Sequence, residues 1–470
     1  MGKTIEGFLK GTRRFLTAGA MLAYSLMPSE TYADIHLTPG GSQNIAQAVA
    51  QAQPGEAIYL SDGTYKASDG NLNVSYSGKD LTITAEQGAK PVWDLESQGR
   101  ALIFTGGHTK NNIIKGITFR NGLATYDESL HNYDGTLGGG TMIFIGDSSR
   151  IEDCDFENSN AAFSPFGMNY ADGGAIDAIA GSNIEILKSR FTNNKTSHIG
   201  GAVHVGADLN VRVGDGEDDW VTKFIPSRAL ILNCNFYDNF SPACQGGGGP
   251  AFNGNSKGVV MNCLSRNNRV NYYSSGGLGG GIEVVNSGVL IANNTIYNND
   301  TTNYNSSNNP LGVGGGINLG GYPYPKIINC VVLGNIAKPG SKEISFLQAK
   351  KDDNLEASNS YLGEVPDTFN YFTGKDTIQI GQNPGFVSPN PQNAEDFSLR
   401  ADSSCVDAGT DLTPYLNEYF TAEELADPKI IYYLTHDFAG NPRVFGSKPD
   451  IGAFEFYRNA ASDSWMNKGL

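Results

Sequence analysis

The chain has 470 residues with 59 glycines, 39% hydrophobic residues and a formal net charge of −16 at pH 7. Such an acidic surface disfavours nucleic acid and anionic lipid as partners, and it repels polyanionic polysaccharides unless calcium or a local basic patch intervenes. Abundant glycine with a modest hydrophobic content favours a solenoid of stacked repeats over one compact globule.

The amino terminus has the pattern of a secretory signal. A basic segment, Lys10 to Arg14, precedes the apolar run Phe15 to Met27. This pattern predicts a signal peptide over residues 1–33 with cleavage after Ala33. Its removal deletes four basic and two acidic residues, which changes the net charge from −16 to −18. No later run approaches the ~20 apolar residues of a membrane span. We therefore expect a mature chain without a transmembrane segment that is secreted or associated with the cell surface.

The residues after this signal predict a short helix and a strand. Asn44 is suited to cap an amphipathic helix through Ala52, and Pro54 with Gly55 ends that helix. The predicted strand Ala57 to Leu60 follows. Such a helix would cover the open end of a solenoid and keep its edge strand from pairing with another chain.

A two-part unit recurs between residues 138 and 335. Its first half is a glycine pair before a short apolar strand, and its second half is an apolar stretch that ends in polar residues, most often asparagine. The first halves begin at Gly138, Gly173, Gly200, Gly248, Gly279 and Gly314, and the second halves begin at Ile151, Ile186, Ile231, Val260, Ile291 and Ile327.

The spacing of this unit predicts the fold. Equivalent positions are 29 to 45 residues apart, and three short strands with their turns need about 20 to 25 residues. Each unit therefore fits one coil with a loop of variable length. Alternating apolar residues, as at Val203 and Val205, indicate strands with one buried face, and stacked coils bury such faces in one core. The sequence predicts an all-β chain, a right-handed parallel β-helix over residues 34–335 with a short N-terminal capping helix.

Aligned positions of the unit predict structural columns. Asparagines near the end of five coils can bond from coil to coil and tolerate a left-handed backbone, and the glycine pairs allow sharp turns without a Cβ clash. Four cysteines share an interior column with Ser189 and Asn294, which indicates free buried thiols, although Cys234 and Cys263 are close enough for a disulfide to be considered. The asparagines are Asn194, Asn239, Asn268, Asn299 and Asn335, and the cysteines are Cys154, Cys234, Cys263 and Cys330.

The last part of the chain resembles a known family. The repeat is predicted to end after Asn335, and residues 336–470 then contain NPGF from Asn383, DFSLRADSSCVDAG from Asp396 and DFAGNPRVFGSKPDIGAFEF from Asp437. At these residues the chain resembles a bacterial family of exported β-helix proteins that end in a Q-type choice-of-anchor segment. The resemblance implies a β-helix, export, and a C-terminal region of further coils with a cap. Because no apolar or sorting segment follows, free secretion is expected over anchoring. The GGAI and FxxN motifs of the repeat also resemble those of polymorphic outer-membrane adhesins.

One column of outward-facing residues is the candidate catalytic site. Asp177 and His204 stand in neighbouring coils, so the carboxylate can orient a neutral imidazole for proton transfer. Phe252 offers a platform for stacking a sugar ring beside Glu283. The alternative is a solvated sheet face with assorted polar residues. The whole predicted column is Met142, Asp177, His204, Phe252, Glu283 and Asn318.

Two cations in one coil, Lys188 and Arg190, are candidate substrate-binding residues. A lyase that acts on a uronate needs a base and a cation that neutralises the carboxylate. No run in the chain matches the catalytic motifs of the well-known pectate or alginate lyase families. The alternative is that both side chains are ordinary solvated cations.

An insertion after the strand at Val203 is the candidate metal site. It contains Asp215, Glu217, Asp218 and Asp219 beside glycines, and carboxylates in such a pattern can hold calcium. The run resembles the DGxDxW element of one calcium-dependent pectate lyase family, although its surrounding residues do not follow that family. A solvated acidic loop is the alternative.

Together these patterns predict an exported carbohydrate-active β-helix protein. A polysaccharide lyase or a glycoside hydrolase is the leading interpretation, with Asp177, His204 and Glu283 as catalytic residues, possible calcium dependence, and a polysaccharide or cell-surface glycan as partner. The competing interpretation is a non-enzymatic cell-surface adhesin or carbohydrate-binding protein, because the fold alone does not separate the two. The chain is expected to be a monomer.

Overall fold

The computed structural model describes residues 34–125, 138–161, 171–212, 220–242, 246–271, 277–302, 312–347, 355–367, 369–388 and 390–457. Only the backbone is described for residues 208–212 and 220–223. The chain divides into two compact units, Met1–Asp34 and Ile35–Leu470. The signal peptide expected over residues 1–33 lies outside the described residues and stays a prediction.

A short helix stands near the start of the second unit, as the sequence predicts. Helix α1 spans Ile45–Gln51 and begins at Asn44, whose side-chain oxygen accepts from the backbone N–H of Gln47 at 2.9 Å. The Gln47 side chain accepts in return from the Asn44 N–H, which completes a capping box. Ile45, Ala48 and Val49 are buried in the main core cluster, so this face of the helix joins the core of the coils.

Three long sheets form the body of the second unit. Sheets 1, 2 and 3 have nine, twelve and eleven strands, and their neighbouring strands are parallel. In the central coils the chain passes through sheet 1, then sheet 2, then sheet 3, and returns to sheet 1 one coil further on. Connections between parallel strands are right-handed in nearly all proteins. The predicted right-handed parallel β-helix is therefore confirmed.

The strands of each sheet follow in the order of the coils. Sheet 1 contains Val74–Ser75, Leu102–Phe104, Met142–Ile145, Ile176–Ile179, Val203–Val205, Pro250–Phe252, Ile282–Val285, Ile317–Gly320 and Ile344–Leu347. Sheet 2 contains Ile35–Leu37, Ala57–Leu60, Thr82–Ala85, Ile113–Lys115, Arg150–Glu152, Asn183–Leu187, Arg228–Leu232, Lys257–Met261, Gly288–Ala292, Lys326–Ile328, Leu355–Ser358 and Phe372–Thr373. Sheet 3 contains Gly63–Lys66, Pro91–Asp94, Thr118–Arg120, Asp155–Glu157, Arg190–Thr192, Asn235–Tyr237, Leu264–Arg266, Thr295–Tyr297, Val331–Leu333, Tyr361–Leu362 and Gln379–Ile380.

Smaller elements complete the unit. Sheet 4 follows sheet 3 within the coil and contains Asn160–Ala161, Lys195–Thr196, Phe240–Ser241 and Arg269–Val270. An antiparallel hairpin of Asp208–Arg212 and Trp220–Phe224 forms the insertion after Val203. Helices α2 and α3 span Thr413–Tyr419 and Pro428–Thr435. In the described ranges, no helix is both long and apolar enough to cross a bilayer.

The core inside sheet 3 is a stack of aromatic rings. Register places them directly above one another, for example Phe156 beside Phe191 and Phe191 beside Phe236. Ring centroids of successive members are 4.8 to 5.5 Å apart, a spacing that offset-stacked pairs favour. The stack consists of Trp93, Phe119, Phe156, Phe191 and Phe236.

The predicted asparagine column is a continuous hydrogen-bonded ladder. Asn239 donates from its backbone N–H at 3.0 Å and from Nδ2 at 2.9 Å to Oδ1 of Asn268, and the same pattern recurs along the column. The expectation of a left-handed backbone at these asparagines is wrong by one residue. The preceding residues adopt it, as at Asn193 (φ 54°) and Asn267 (φ 56°), because the turn comes just before the ladder residue.

The cysteines of the interior column are free and buried, as predicted. Cys154, Cys234, Cys263 and Cys330 form no disulfide, and neither does the buried Cys405. The backbone N–H of Cys234 lies 3.3 Å from the sulfur of Cys263. Cys244 lies outside the described residues.

The glycine pairs are required by the backbone. Gly173 has φ 63°, a region that side chains rarely enter. A Cβ on the next residue, Gly174, would lie 2.0 Å from the carbonyl oxygen of Gly201 in the following coil. The turns of adjacent coils therefore stack in direct backbone contact.

The coils continue beyond the predicted end of the repeat. Ile344–Leu347 pairs with Ile317–Gly320 in sheet 1, and Leu355–Ser358 and Tyr361–Leu362 extend sheets 2 and 3. The glycine and asparagine motifs of the repeat stop at Asn335, and the coils continue without them. Phe372–Thr373 and Gln379–Ile380 then add one more strand each to sheets 2 and 3.

The rest of the C-terminal region lies along the sides of the coils. Ile430 and Tyr433 of α3 pack on the outer face of sheet 2 beside Met261. Phe397 and Ile451 belong to a second cluster on the outer face of sheet 3. Two ion pairs, Arg150 with Asp427 and Arg228 with Glu424, reinforce the contact between this region and sheet 2. The C-terminal region, expected to cap the β-helix, thus covers the outer faces of sheets 2 and 3. The candidate site stands on the outer face of sheet 1.

Candidate active site

Strand register brings four of the candidate residues into one column on the outer face of sheet 1. Asp177 is the partner of His204, His204 that of Ala251, and Ala251 that of Glu283. Asn318 follows beside Glu283. With strands about 4.8 Å apart, the Cα atoms of His204 and Glu283 are roughly 10 Å apart and those of Asp177 and Glu283 roughly 14 Å.

Two residues of the predicted column, Met142 and Phe252, do not lie in it. Phe252 is 1% exposed and belongs to the main core cluster, and Met142 also lies in that core. Ile143 and Ala251 occupy the column instead. Phe252 therefore cannot stack on a sugar at the surface. The error has a simple cause: the column residue comes four positions after the left-handed glycine.

A run of glycines in the sequence does not show which of its members is left-handed. It is the first glycine in the runs that begin at Gly279 and Gly314, but the second in the runs that begin at Gly138 and Gly246, namely Gly139 and Gly247. Because the starting glycine of the coil at Gly247 is ambiguous in the sequence, the predicted site includes Phe252, which is a core residue in the structure.

The column is covered, although it lies outside the core. Asp177, His204 and Glu283 are 2%, 3% and 2% exposed. The left-handed glycine turns lie against it, since a Cβ on Gly247 would be 3.2 Å from that of Glu283. The expectation that this column forms an open groove or a solvated face is therefore wrong. It is a buried polar layer between sheet 1 and the turns.

His204 is the centre of a hydrogen-bonded cluster. Its Nδ1 lies 2.7 Å from Oδ1 of Asp177 and 3.8 Å from Oδ2 of Asp172, and its Nε2 lies 3.2 Å from Oδ1 of Asn253. The other oxygen of Asp172 lies 2.7 Å from Nδ1 of His198. A doubly protonated His204 ring can donate to both of its hydrogen-bonded partners.

Sequence reasoning missed Asp172, His198 and Asn253. A signal for two of them was present, since Asp172 directly precedes the glycine pair of its coil and His198 stands two residues before the next pair. Asn253 lies two positions beyond the column residue Ala251, so its side chain leaves the same face of the sheet.

The charges around His204 move its pKa upward. Burial disfavours the charged ring, but Asp172 and the hydrogen bond to Asp177 outweigh burial and raise the pKa of His204 to about 9. Burial likewise opposes the charge of Asp172, yet the two imidazoles lower its pKa. For Asp177 burial prevails and raises the pKa. At pH 7, His204 is therefore mainly the imidazolium.

Glu283 is the second titratable group of the column with a large shift. Burial raises its pKa to about 8, against the hydrogen bonds from Asn318 and from the backbone of Gly246. The Asn318 Nδ2 lies 3.4 Å from Oε1 of Glu283. Glu283 is thus mainly a neutral acid at pH 7 that can give up a proton. A buried acid and a buried imidazolium in one column are groups suited to acid–base chemistry.

The same carboxylates also stabilise the turns that cover them. Asp177 accepts from the N–H of Gly138 at 3.2 Å, and Glu283 accepts from the N–H of Gly246. In both cases the donor directly precedes a left-handed glycine, Gly139 or Gly247, one coil earlier. These contacts satisfy buried backbone donors, so the column has a structural role whether or not it is catalytic.

Lys188 and Arg190 do not belong to this cluster. They stand between sheets 2 and 3, where they line a groove of about 640 Å³ that Phe438 also borders. Each faces a carboxylate of the preceding coil: Lys188 Nζ is 3.3 Å from Asp153, and Arg190 pairs with Asp155. The two cations are therefore neutralised on a different face from Asp177, His204 and Glu283.

The candidate calcium ligands Asp215, Glu217, Asp218 and Asp219 lie outside the described residues. They fall between the two strands of the hairpin, Asp208–Arg212 and Trp220–Phe224. Elsewhere, over the ranges that the structure describes, no group of three or more His, Cys, Asp or Glu side chains is placed to hold a metal ion.

Both large pKa shifts predict that stability falls as the pH rises. Glu283 binds its proton more tightly in the folded chain, so its contribution is fully present below about pH 4.3 and is lost as the pH approaches 8. The contribution of His204 is fully present below about pH 6.5 and is lost as the pH passes through 9. Urea unfolding at pH 5 to 9 should show the wild type losing stability relative to Glu283→Gln. Parallel curves for the two proteins would contradict the shift at Glu283.

Comparison with models of protein families and with curated sequences returns no match. Solved structures similar to this chain include the pectate lyase Pel9A, at 15% identity and a TM-score of 0.48 over 91% of this chain and 98% of that one. A pectin methylesterase from Aspergillus niger has 10% identity and a TM-score of 0.30 over 84% and 98%. A mannuronic acid specific family 6 polysaccharide lyase from human gut microbiota has 12% identity and a TM-score of 0.32 over 74% and 82%. At these values the fold assignment rests on the strand pairing itself.

Proposed function

We propose that this chain is an exported carbohydrate-active protein that acts on a polysaccharide or a cell-surface glycan. The cluster of Asp172, Asp177, His204 and Glu283 supplies its acid–base chemistry. One observation carries the proposal: the column brings together two buried groups, Glu283 and His204, whose pKa values are raised to about 8 and about 9. Both are mainly protonated at pH 7, and between these two values a fraction of His204 is neutral and can accept a proton while a fraction of Glu283 is still protonated and can donate one.

The spacing of the two carboxyl groups within the column supports a lyase over a glycoside hydrolase that would use this pair. Hydrolysis needs two carboxyl groups about 5 to 9.5 Å apart, whereas Asp177 and Glu283 are three strands apart in the column. In a β-elimination, neutral His204 removes the proton next to the uronate carboxylate, a C=C bond forms, and the C–O bond to the leaving sugar breaks. Glu283 gives its proton to the departing oxygen.

Access to the column requires the covering turns to move. The left-handed glycines that lie against it, such as Gly247, have no side chains. Substrate would have to displace these turns to reach His204. The buried column also supports the second candidate, a carbohydrate-binding protein or adhesin without catalysis. In that case the contacts from Asp177 and Glu283 to the turns would be purely structural.

A polysaccharide panel separates the two candidates. We expect the purified chain to release products that absorb at 232 nm from at least one uronate polymer, which marks the new C=C bond. Reducing ends without that absorbance would indicate hydrolysis instead. Silence in both assays contradicts the enzyme proposal, and binding without turnover supports the adhesin.

Calcium and export form further parts of the proposal. Running each assay with calcium and with EDTA tests whether the acidic run Asp215 to Asp219 contributes to activity. Expression with residues 1–33 in place, followed by sequencing of the mature amino terminus, tests cleavage after Ala33. The same culture shows whether the chain is free in the medium or held at the cell surface.

A further inference from the structure

Sheet 4 carries two cations on either side of an aromatic ring. Register places Lys195 beside Phe240 and Phe240 beside Arg269. Successive coils are about 4.8 Å apart, so the three residues form one ladder along the coil axis. Lys195 and Arg269 are exposed and Phe240 is half-buried. The guanidinium carbon of Arg269 lies 5.8 Å from the centre of the Phe240 ring.

These two cations differ from the other ladder of cations described above. Lys188 and Arg190 each face an aspartate, Asp153 or Asp155. Within the described residues, Lys195 and Arg269 form no ion pair. In a chain with a net charge of −16, these two cations, which stand two coils apart with Phe240 between them, form a local basic patch. Asp300 follows Arg269 in the same register, and its carboxylate accepts hydrogen bonds from Thr302. Such a patch attracts anions that the rest of the surface repels.

A small cleft lies beside this ladder. Its volume is about 150 Å³, and it is lined by Phe240, Arg269, Val270, Asn271, Asp300 and Thr302. An aromatic ring face suits the apolar face of a sugar. A guanidinium and an ammonium suit a carboxylate, since charge-assisted hydrogen bonds are stronger than neutral ones. Amide and hydroxyl groups of Asn271 and Thr302 suit sugar hydroxyls.

The ladder adjoins the candidate active site. Thr196, which follows Lys195, donates from its hydroxyl to the carbonyl of Ala171 beside Asp172. Ser241, which follows Phe240, donates to the carbonyl of His198. The strands of sheet 4 are therefore tied to the segments that hold Asp172 and His198. A chain of sugars bound along the ladder would run parallel to the column of Asp177, His204 and Glu283.

We propose that Lys195, Phe240 and Arg269 form a subsite for an acidic sugar, so that the substrate class is a polyuronate. This inference rests on the proposed function for its substrate, but it concerns binding and not turnover. Phe240 stacks on a sugar ring while Lys195 and Arg269 hold the carboxylates of successive residues. The subsite supplies the basic patch that a polyanionic substrate needs on an otherwise acidic surface.

Binding to immobilised polygalacturonate and alginate tests the subsite, with fully methyl-esterified polygalacturonate as the neutral probe. We expect binding to at least one acidic polymer, weaker binding to the ester, and a decrease as NaCl is raised from 20 to 200 mM. The double variant Lys195→Gln/Arg269→Gln should weaken binding by about tenfold, since it removes two charge contacts, each of which is weak at an exposed position. The matched control Lys66→Gln/Lys90→Gln removes two exposed cations near the start of sheet 3, away from the ladder, and should bind as the wild type does.

Each contrary outcome is distinct. Absence of binding to both acidic polymers, equal binding of ester and acid, or equal losses in the two double variants would overturn the subsite. If ladder-dependent binding occurs without product, the subsite stands and the catalytic proposal fails. Release of products that absorb at 232 nm from the methyl ester alone leaves the catalytic proposal standing and rejects the subsite.

Discussion

Replacing His204 with alanine is expected to lower kcat/KM on the polysaccharide found in the panel by about 10²–10⁴-fold, the usual contribution of a positioned proton-transfer group. The ring is held at 2.7 Å by Asp177 and at 3.2 Å by Asn253, so alanine removes the base and both of these contacts. Initial rates at 232 nm measure the loss. The control is His36→Ala, which removes an exposed histidine paired with Glu86 and should keep full activity.

The pH profile distinguishes a catalytic from a structural His204. The active form requires a neutral His204 and a protonated Glu283, whose pKa values are about 9 and about 8. The rate should therefore be highest between these two values and fall on both sides. Glu283→Gln should also reduce the rate strongly, because its amide has no proton to give to the leaving oxygen. An unchanged rate in either variant rejects this cluster as the site, even if the chain proves to be an enzyme.

Replacing Phe191 with alanine is expected to destabilise the β-helix by about 3–5 kcal/mol, the usual cost of truncating a large core aromatic residue. Its ring is stacked between Phe156 at 4.8 Å and Phe236 at 5.0 Å. Alanine leaves a cavity in a column that the register of adjacent coils prevents from closing. Urea unfolding followed by circular dichroism measures the change in free energy.

The control for this prediction is Phe224→Ala. Phe224 ends the second strand of the hairpin and is 70% exposed, so its loss should change stability by less than about 0.5 kcal/mol. Similar destabilisation in the two variants would mean that the ladder of rings is not the main support of this part of the core. Because each coil contacts mainly its neighbours, the Phe191 variant is also expected to unfold first around its own coil.

Several features of the fold could be predicted because they repeat. The asparagine ladder and the free cysteines follow from residues at equal places in successive coils, and the helix that begins at Asn44 follows from a local cap. The repeat did not predict the strand register where the glycine that starts the coil was ambiguous, as at Gly247 and Gly248. It gives no guide beyond Asn335, where the glycine signal ends and the strand at Ile344 continues sheet 1. In both places, pairing with the preceding coil set the register.

The sequence by itself determined the parallel β-helix, its capping helix and the column that contains Asp177, His204, Glu283 and Asn318. It did so because strand periodicity and stacking fix which side chains share a face. Only the tertiary structure decided that this column is buried, that Asp172, His198 and Asn253 complete it, and that Lys188 and Arg190 lie on another face. Burial and pKa depend on the turns and segments that pack over a strand, and these come from distant coils whose approach no local pattern records.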